Sequence, residues 1–325
     1  MKKMPIAALM LIVGLFLAGC VIITIPGGVQ PPVEKVIGGK GADKVLVMDI
    51  SGLISGASHH NVLGVETEPN LAARIKEELD LAAEDSHVKA IVLKINSPGG
   101  AVTTCDIINH ELKNFKKEKG IVIVADLMDV AASGGYYIAV ASDAIVASPT
   151  TVTGSIGVIA YGISAAGLME KIGITNQTIK SGPEKDIGSP LKTMSAEDKK
   201  ILQSVIDNLY DRFLDVVMAG RPGAFTREEL KKIADGRIYT ADQALKLKLI
   251  DRIGYMEDAV SLAKEKAGIK EARIVAYSRP GSYKNNIYSG LFTKTPETVN
   301  LINIDADMFS RKLGLDFMYL WMPWN

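Results

Sequence analysis

The arrangement of apolar and amphipathic segments is the feature that most limits how this chain can fold. Residues 45–54 ("VLVMDISGLI"), 88–95 ("VKAIVLKI") and 121–126 ("IVIVAD") are apolar runs typical of buried strands. Between them, residues 70–84 and 103–118 place apolar side chains at helical spacing. Strands that alternate with helices in this way predict an α/β domain with a covered, largely parallel sheet.

The second half of the chain is predicted to add two further helices after a polar loop at residues 180–193. Ser195 and Asp198 open a long amphipathic helix that runs to Met218. Their capping-box pattern is imperfect because the aspartate side chain is short. Residues 226–236 carry a better version of the same pattern and predict another helix.

Charge balance and motif content exclude several classes of function. Lys+Arg and Asp+Glu both number 37, so no overall field attracts the chain to nucleic acid or to acidic lipid. No phosphate-binding loop or strand-linked dinucleotide motif occurs, and a nucleotide enzyme is therefore not expected. Of the two cysteines, Cys20 belongs to the N-terminal segment, so we expect no disulfide within the chain and a small apolar role for Cys105.

Residues 1–26 are predicted to form a membrane anchor rather than part of the folded core, because two lysines precede a long stretch without charge. Residues 17–20, Leu-Ala-Gly-Cys, resemble a bacterial lipobox in which Cys20 becomes lipidated, and this is the interpretation we favour. The alternative is an uncleaved transmembrane helix, since ~20 apolar residues can cross a bilayer. In both cases the following domain is expected outside the cytoplasm. Residues 27–43 are rich in Gly and Pro and are predicted to be a linker.

Ser133 occupies a position where a predicted strand gives way to a helix, in "AASGGYYIA". Taken alone, such a serine is more often a helix N-cap, whose side chain accepts a backbone N–H. The functional alternative is a nucleophile, because the free N–H groups at a helix start can stabilise the anion formed when a hydroxyl attacks a carbonyl. The same position serves both hypotheses.

Gly99 and Gly100 end the predicted strand in "INSPGG". The simpler interpretation is a turn. In an active site, two residues without side chains would let a peptide backbone approach closely and could direct a second N–H at an oxyanion.

A serine nucleophile needs a base, and the histidines offer no distinctive candidate. All four lie in contexts typical of surface or structural residues: His59, His60, His87 and His110. No G-x-S-x-G elbow surrounds Ser133, which weakens a Ser-His-Asp triad. A desolvated lysine can replace histidine, although lowering a lysine pKa from ~10.4 to ~7–8 costs about 4 kcal/mol. The polar loop holds Lys180, Lys185 and Lys192, and composition does not choose among them.

Five motifs occur together in the order and spacing of one family. They are "NSPGG" (96–100), "AASGGYYIA" (131–139), "TGSIGV" (153–158), "SGPEKDIGSP" (181–190) and "GRIYTADQALKLKLID" (236–251). Over residues 44–280 the chain therefore resembles the signal peptide peptidase A (protease IV) family, in its short, single-repeat bacterial form. The resemblance implies serine protease activity and an α/β, crotonase-like fold of repeated ββα units.

The same resemblance implies roles for individual residues. Ser133 would be the nucleophile, Lys185 the general base, and Ser155 would orient the lysine amine. The backbone N–H groups of Gly100 and Gly134 would form the oxyanion hole. No metal or organic cofactor is implied.

Assembly and substrates are also implied. Long members of the family hold two repeats and take the serine and the lysine from different repeats. A single-repeat chain is thus expected to form a homo-oligomeric ring in which Ser133 of one subunit meets Lys185 of the next. The implied substrates are cleaved signal peptides and other apolar peptides on the extracytoplasmic side of the bacterial cell membrane. Lys248 departs from the family pattern, which usually has Gly there, and this puts a local turn in doubt.

Other functions stay open at this point. The same fold could serve as a non-catalytic, membrane-tethered scaffold or peptide-binding assembly, with Ser133 as a cap and Lys185 as a surface charge. An acyl-CoA-handling relative is a third possibility, against which the N-terminal segment argues. The tail, residues 281–325, ends in "LDFMYLWMPWN" and is expected to be a strand or extended arm packed on the body. Alternatively, it contacts the membrane or lies in a peptide groove.

Overall fold

The computed structural model describes residues 29–60, 66–279, 286–288 and 316–322, which form a mixed α/β fold. Its helices are α1 (Leu71–Glu84), α2 (Val102–Lys119), α3 (Gly134–Ala139), α4 (Ala166–Lys171), α5 (Ala196–Gly220), α6 (Arg227–Ile233), α7 (Ala241–Lys246) and α8 (Met256–Lys266). Its strands are β1 (Val33–Gly39), β2 (Lys44–Ser51), β3 (His59–His60), β4 (Glu66–Glu68), β5 (Val88–Ser97), β6 (Gly99–Ala101), β7 (Val122–Ala132), β8 (Ala144–Ala147), β9 (Val152–Gly154), β10 (Ile159–Tyr161), β11 (Ile238–Thr240), β12 (Arg252–Ile253), β13 (Arg273–Ser278) and β14 (Asp316–Leu320).

The main sheet is largely parallel and has the order β1-β13-β2-β5-β7-β8-β12. Only β1 runs antiparallel to its neighbour on this path. Alternate side chains of β2, β5 and β7 enter two separate cores, one packed by α1, α2, α3 and α5 and the other by α8. Both faces of the central strands are therefore covered, which explains their continuous apolar sequence.

The end of β7 leaves the main path and carries the chain into α3. Its last three residues pair in parallel with β9, and β9 pairs in turn with β11. A second, three-stranded sheet has the order β10-β14-β6, with β14 antiparallel to both neighbours. The strand expected in the tail is thus inserted between two strands of the body.

Most of the predicted elements are present near their expected positions. Three details differ from what the sequence pattern indicates. Residues 33–39, inside the expected linker, form β1, because this segment hydrogen-bonds along the edge strand β13. The helix after Ser133 is only six residues long. The capping box of α5 is complete, since the Ser195 and Asp198 side chains each accept the other's backbone N–H at 2.9 Å. The shorter aspartate is therefore sufficient there.

Residues 1–26, with Cys20, lie outside the described residues. Within the described ranges, no helix is long and apolar enough to cross a membrane, and no group of side chains has the composition of a metal site. Lys248 adopts a left-handed conformation with φ of 58°, so the turn forms although the residue is not glycine.

Candidate active site

Ser133 is held in a strained backbone conformation at the junction of β7 and α3. Its φ is 52° and its ψ is −114°, which is unusual for a residue with a side chain. Its backbone N–H donates to the Gly154 carbonyl, and its carbonyl accepts from Tyr137, both at 2.8 Å. Such strain persists only where surrounding structure enforces it, and it is found most often at functional sites.

The Ser133 hydroxyl is the feature that separates the two hypotheses for this residue. The side chain makes no cap hydrogen bond to α3. Its Oγ is fully buried and has no hydrogen-bond partner among the residues that the structure describes. A buried hydroxyl without a partner costs stability, so the N-cap interpretation does not account for it. An unpaired hydroxyl at this position is what the nucleophile hypothesis expects before a base and a substrate are present.

Gly99 packs against Gly134, the residue that follows Ser133. Gly99, Gly100 and Gly134 are each too close to their surroundings to carry a side chain. A Cβ on Gly100 would lie 1.9 Å from the Ile54 carbonyl oxygen, and one on Gly134 would lie 2.5 Å from Cys105 Sγ. Gly99 has a φ of 101° and would place a Cβ 2.7 Å from the Gly134 nitrogen. Cys105 is a buried free thiol, and burial raises its pKa. It packs against Gly134, in agreement with its expected apolar role.

The C-terminal strand brings a peptide carbonyl to these glycines. Tyr319 is the antiparallel partner of Gly100. Trp321, two residues further along β14, donates its N–H to the Pro98 carbonyl. Hydrogen-bonded pairs recur at every second position of an antiparallel ladder, so Tyr319 and Gly100 form a hydrogen-bonded pair as well. The Tyr319 carbonyl oxygen also lies 3.1 Å from the position of a Cβ on Gly134. The two residues predicted for the oxyanion hole therefore lie around one peptide carbonyl.

The side chain of Tyr319 fills an aromatic pocket below this carbonyl. Its ring stacks on Tyr137 at a centroid distance of 4.9 Å and contacts Phe213 at 4.7 Å. Its hydroxyl donates to the Leu209 carbonyl at 3.0 Å, and the residue is fully buried. Burial raises the pKa of this phenol, which stays protonated as a donor. The pocket thus accepts a large apolar side chain with one polar end.

Ser155 lies on the other side of the junction, directly after β9. It is nearly buried, has a φ of 49°, and donates its backbone N–H to the Arg237 carbonyl at 2.8 Å. It lines a cleft of about 560 Å³ that also contacts Tyr210, Asp235 and Trp321. The Gly154 carbonyl accepts the Ser133 N–H, and Gly154 immediately precedes Ser155 in the chain. One backbone hydrogen bond therefore connects the backbone segments that carry the two serines.

The three candidate lysines have different partners. Lys180 and Lys192 form ion pairs with Asp186, and Lys192 pairs with Asp198 as well. Lys185 is exposed, and its ammonium has no ion pair or hydrogen bond within the described part of the chain. Of these three lysines, only Lys185 has an ammonium without a partner among the described residues, which the sequence alone could not establish. In this structure it makes no hydrogen bond to Ser133 or Ser155.

Two of the four histidines, His87 and His110, lie in the contexts expected for surface or structural residues. His87 pairs with Asp85 at 3.2 Å, and His110 contacts Asn114 on α2. The structure also shows functional candidates that the sequence did not identify, namely Tyr319 and the pocket that holds it. Their only signal was the apolar, aromatic end of the tail, for which a packed strand or arm was the favoured interpretation.

Two protein-family models match the chain. Residues 114–270 match peptidase family S49, and residues 50–153 match the Clp protease family. The second match indicates that the mixed α/β domain has a ClpP/crotonase-like fold.

Three relatives extend the comparison to most of the chain. An SppA signal peptide peptidase homologue of Enterococcus faecium is 38% identical over 236 residues, which cover 72% of this chain and 67% of that protein. The chloroplastic serine protease SPPA of Arabidopsis thaliana is 32% identical over 77% of this chain and 37% of its own length. Protease 4 of Salmonella typhi is 36% identical over 66% of this chain and 34% of its own length.

Proposed function

This chain belongs to peptidase family S49 and is a serine peptidase, and from that premise we propose that Ser133 and Lys185 form its catalytic Ser-Lys dyad. The observation that carries the assignment is the Ser133 hydroxyl, which is buried, unpaired and placed on a strained backbone next to Gly134. The glycines around the Tyr319 carbonyl support the second half of the site, an oxyanion hole formed by the N–H groups of Gly100 and Gly134.

The proposed reaction is acyl transfer in two steps. The neutral amine of Lys185 takes the proton of Ser133, and Ser133 Oγ attacks the peptide carbonyl to give a tetrahedral oxyanion. The two glycine N–H groups stabilise that anion. When the C–N bond breaks, Lys185 returns the proton to the leaving amine. Water then attacks the acyl-enzyme with Lys185 again as the base, and the Ser133 hydroxyl is regenerated.

We further propose that the dyad forms between subunits of a homo-oligomeric ring. In the described chain Lys185 is exposed and unpaired while Ser133 is buried and unpaired, so each group lacks a partner. The segment that carries Lys185 also exposes several large apolar side chains. They are Ile163, Leu168, Ile172, Ile174, Ile179 and Leu191. A neighbouring subunit would cover these side chains and remove water from Lys185, which favours its neutral amine.

The proposed location is the extracytoplasmic face of the bacterial cell membrane, with residues 1–26 as a lipoprotein signal or transmembrane anchor and Cys20 as the lipidated residue of the first form. The proposed substrates are cleaved signal peptides and other apolar peptides. The aromatic pocket around Tyr319 supports this class, because its ring-lined interior suits a large apolar side chain.

Complementation between inactive variants tests both the dyad and its sharing. Ser133→Ala and Lys185→Ala should each abolish hydrolysis of an apolar fluorogenic peptide. An equimolar mixture should recover part of the activity, because mixed rings contain sites with an intact serine and an intact lysine. A Lys185→Ala variant as active as the wild type would remove the dyad, whereas an inactive mixture of well-assembled variants would place both residues in one subunit.

The non-catalytic scaffold is not favoured by the comparisons, since the three relatives described above carry the names of proteases or peptidases. It also gives no reason for an unpaired buried hydroxyl at Ser133.

A further inference from the structure

The loop that carries Lys185 is closed by a network of charged side chains centred on Asp186. We propose that Asp186 is a positioning residue for the peptidase reaction: it binds Lys180 and Lys192 from both ends of the loop and so presents Lys185 alone to the active site. This inference rests on the proposed role of Lys185 as general base.

The distances show how Asp186 joins the two ends of the loop. Its Oδ1 accepts from Lys180 Nζ at 2.8 Å and from Lys192 Nζ at 2.7 Å. Lys180 Nζ donates in addition to the Pro183 carbonyl at 2.7 Å. Residues 180 and 192 are therefore held by one oxygen atom, and the residues between them form a closed turn.

A second carboxylate attaches this closed loop to the body of the protein. Lys192 Nζ lies 3.1 Å from Asp198 Oδ2. Asp198 is fully buried and completes the capping box at the start of α5. Because α5 packs into the main core through Phe213, Leu214 and Val217, the network extends from the loop to a rigid element.

The ion pairs also distinguish Lys185 from the other two lysines of the loop. Hydrogen bonds from Lys180 and Lys192 lower the pKa of Asp186, and the hydrogen bond to Asp186 raises the pKa of Lys192. The backbone hydrogen bond from Ser195 helps to keep the pKa of Asp198 low. The network therefore favours the charged form of Lys192, in which a lysine cannot accept a proton. Lys185, next to Asp186 in the chain, has no such partner among the described residues.

Exposed ion pairs contribute little to stability, so the expected role is geometric. The pairs here are half-buried, with side-chain exposures of 15% for Asp186 and 21% for Lys192. Loss of the network would let the loop open and move the Lys185 amine. A displacement of about 1 Å in a catalytic group can lower a rate about 100-fold.

A double-mutant cycle in the full-length protein tests this role. Asp186→Asn and Lys192→Met are each expected to lower kcat about 10-fold, with KM for the fluorogenic peptide within about twofold of the wild type. Because both changes break the same link, the double variant should be no slower than about 10-fold. Asp186→Glu, which keeps the charge, should restore part of kcat. Glu197→Gln, an exposed carboxylate in the first turn of α5 whose nearest ammonium is 3.9 Å away, serves as the control and should leave kcat unchanged.

The possible results separate this inference from the proposed dyad. If Lys185→Met is inactive but Asp186→Asn and Lys192→Met keep the wild-type kcat, the positioning role is wrong and the dyad stands. Additive losses, near 100-fold in the double variant, would also overturn it, because they would show that the two residues act independently. If Lys185→Met is fully active, both assignments are wrong. If Asp186→Asn no longer shows a cooperative thermal unfolding transition, the kcat values of Lys180→Met and Lys192→Met test the inference instead, because both variants keep Asp186.

Discussion

If Gly100 and Gly134 form the proposed oxyanion hole, the C-terminal strand β14 occupies the position that a peptide substrate would take, and its removal should make the site more accessible. It lies between β6 and β10, with the Tyr319 carbonyl at the predicted oxyanion hole and the Tyr319 ring in the aromatic pocket. We therefore expect the tail to compete with external peptides. The two perturbations are deletion of residues 316–325 and the substitution Tyr319→Ala.

The contacts of Tyr319 set the size of the effect. Full burial of an aromatic ring contributes about 2–3 kcal/mol, stacking on Tyr137 about 1 kcal/mol, and the hydroxyl bond to Leu209 about 1 kcal/mol. Tyr319→Ala should then reduce the closed-to-open ratio of the tail by about 4 kcal/mol, or roughly 1,000-fold. Tyr319→Phe loses only the hydroxyl bond, which corresponds to about fivefold.

Steady-state kinetics with an apolar peptide measures this ratio, because the apparent affinity of a site is reduced by the fraction of molecules in which it is closed. The deletion and Tyr319→Ala should lower KM at least 10-fold and leave kcat within about twofold, with Tyr319→Phe in between. Asp316→Asn, an exposed change on the same strand, is the control and should not alter KM. If the deletion variant and Tyr319→Ala fold normally and show the wild-type KM, the tail does not compete and the reasoning fails.

Three further predictions concern stability. Lys248→Gly should raise the free energy of unfolding by about 1 kcal/mol, since Lys248 has a φ of 58°; equal or lower stability in urea titrations would contradict this. Burial raises the pKa of Asp126 to about 7, so the folded state binds a proton that the unfolded state releases near pH 4, and stability should fall as pH rises from about 4 to 7. Asp126→Asn should consequently raise Tm at pH 8 but not at pH 4, and a pH-independent difference would refute the assignment. Thr153→Val removes a hydroxyl that donates to the Ala131 carbonyl at 2.7 Å and should cost about 1–3 kcal/mol of unfolding free energy, whereas exposed Thr150→Val should cost almost nothing.

The sheet could be predicted from sequence because its signal is local. Continuous apolar runs such as residues 88–95 correspond to strands buried on both faces, and Asn70 caps α1 as its residue type favours. The insertion of β14 between β6 and β10 could not be predicted in this way. Pairing between distant segments depends on the tertiary shape of the cleft, and the sequence of the tail fits a strand at many surfaces.

The residues of the candidate site could be predicted only in part from the sequence. Ser133 stood out by position, but a cap and a nucleophile have the same sequence pattern, and the missing cap hydrogen bond became visible only in three dimensions. Resemblance to a family selected Lys185 from the lysines of its loop. The structure adds a physical reason, because ion pairs occupy Lys180 and Lys192. Nothing in the residue types alone indicates which of three neighbouring lysines will be paired.

The pairing of β1 with β13 shortens the part of the chain that could serve as a free spacer after residues 1–26. If residues 1–26 anchor the chain, a free linker over residues 27–43 could extend up to about 60 Å at ~3.5 Å per residue. Because β1 begins at Val33, only residues 27–32 remain as a spacer, with a maximum reach of about 20 Å. The body of the enzyme would then rest close to the lipid headgroups. Its working volume would be a thin layer along the membrane surface, in which apolar peptides leaving the bilayer are met before they diffuse away.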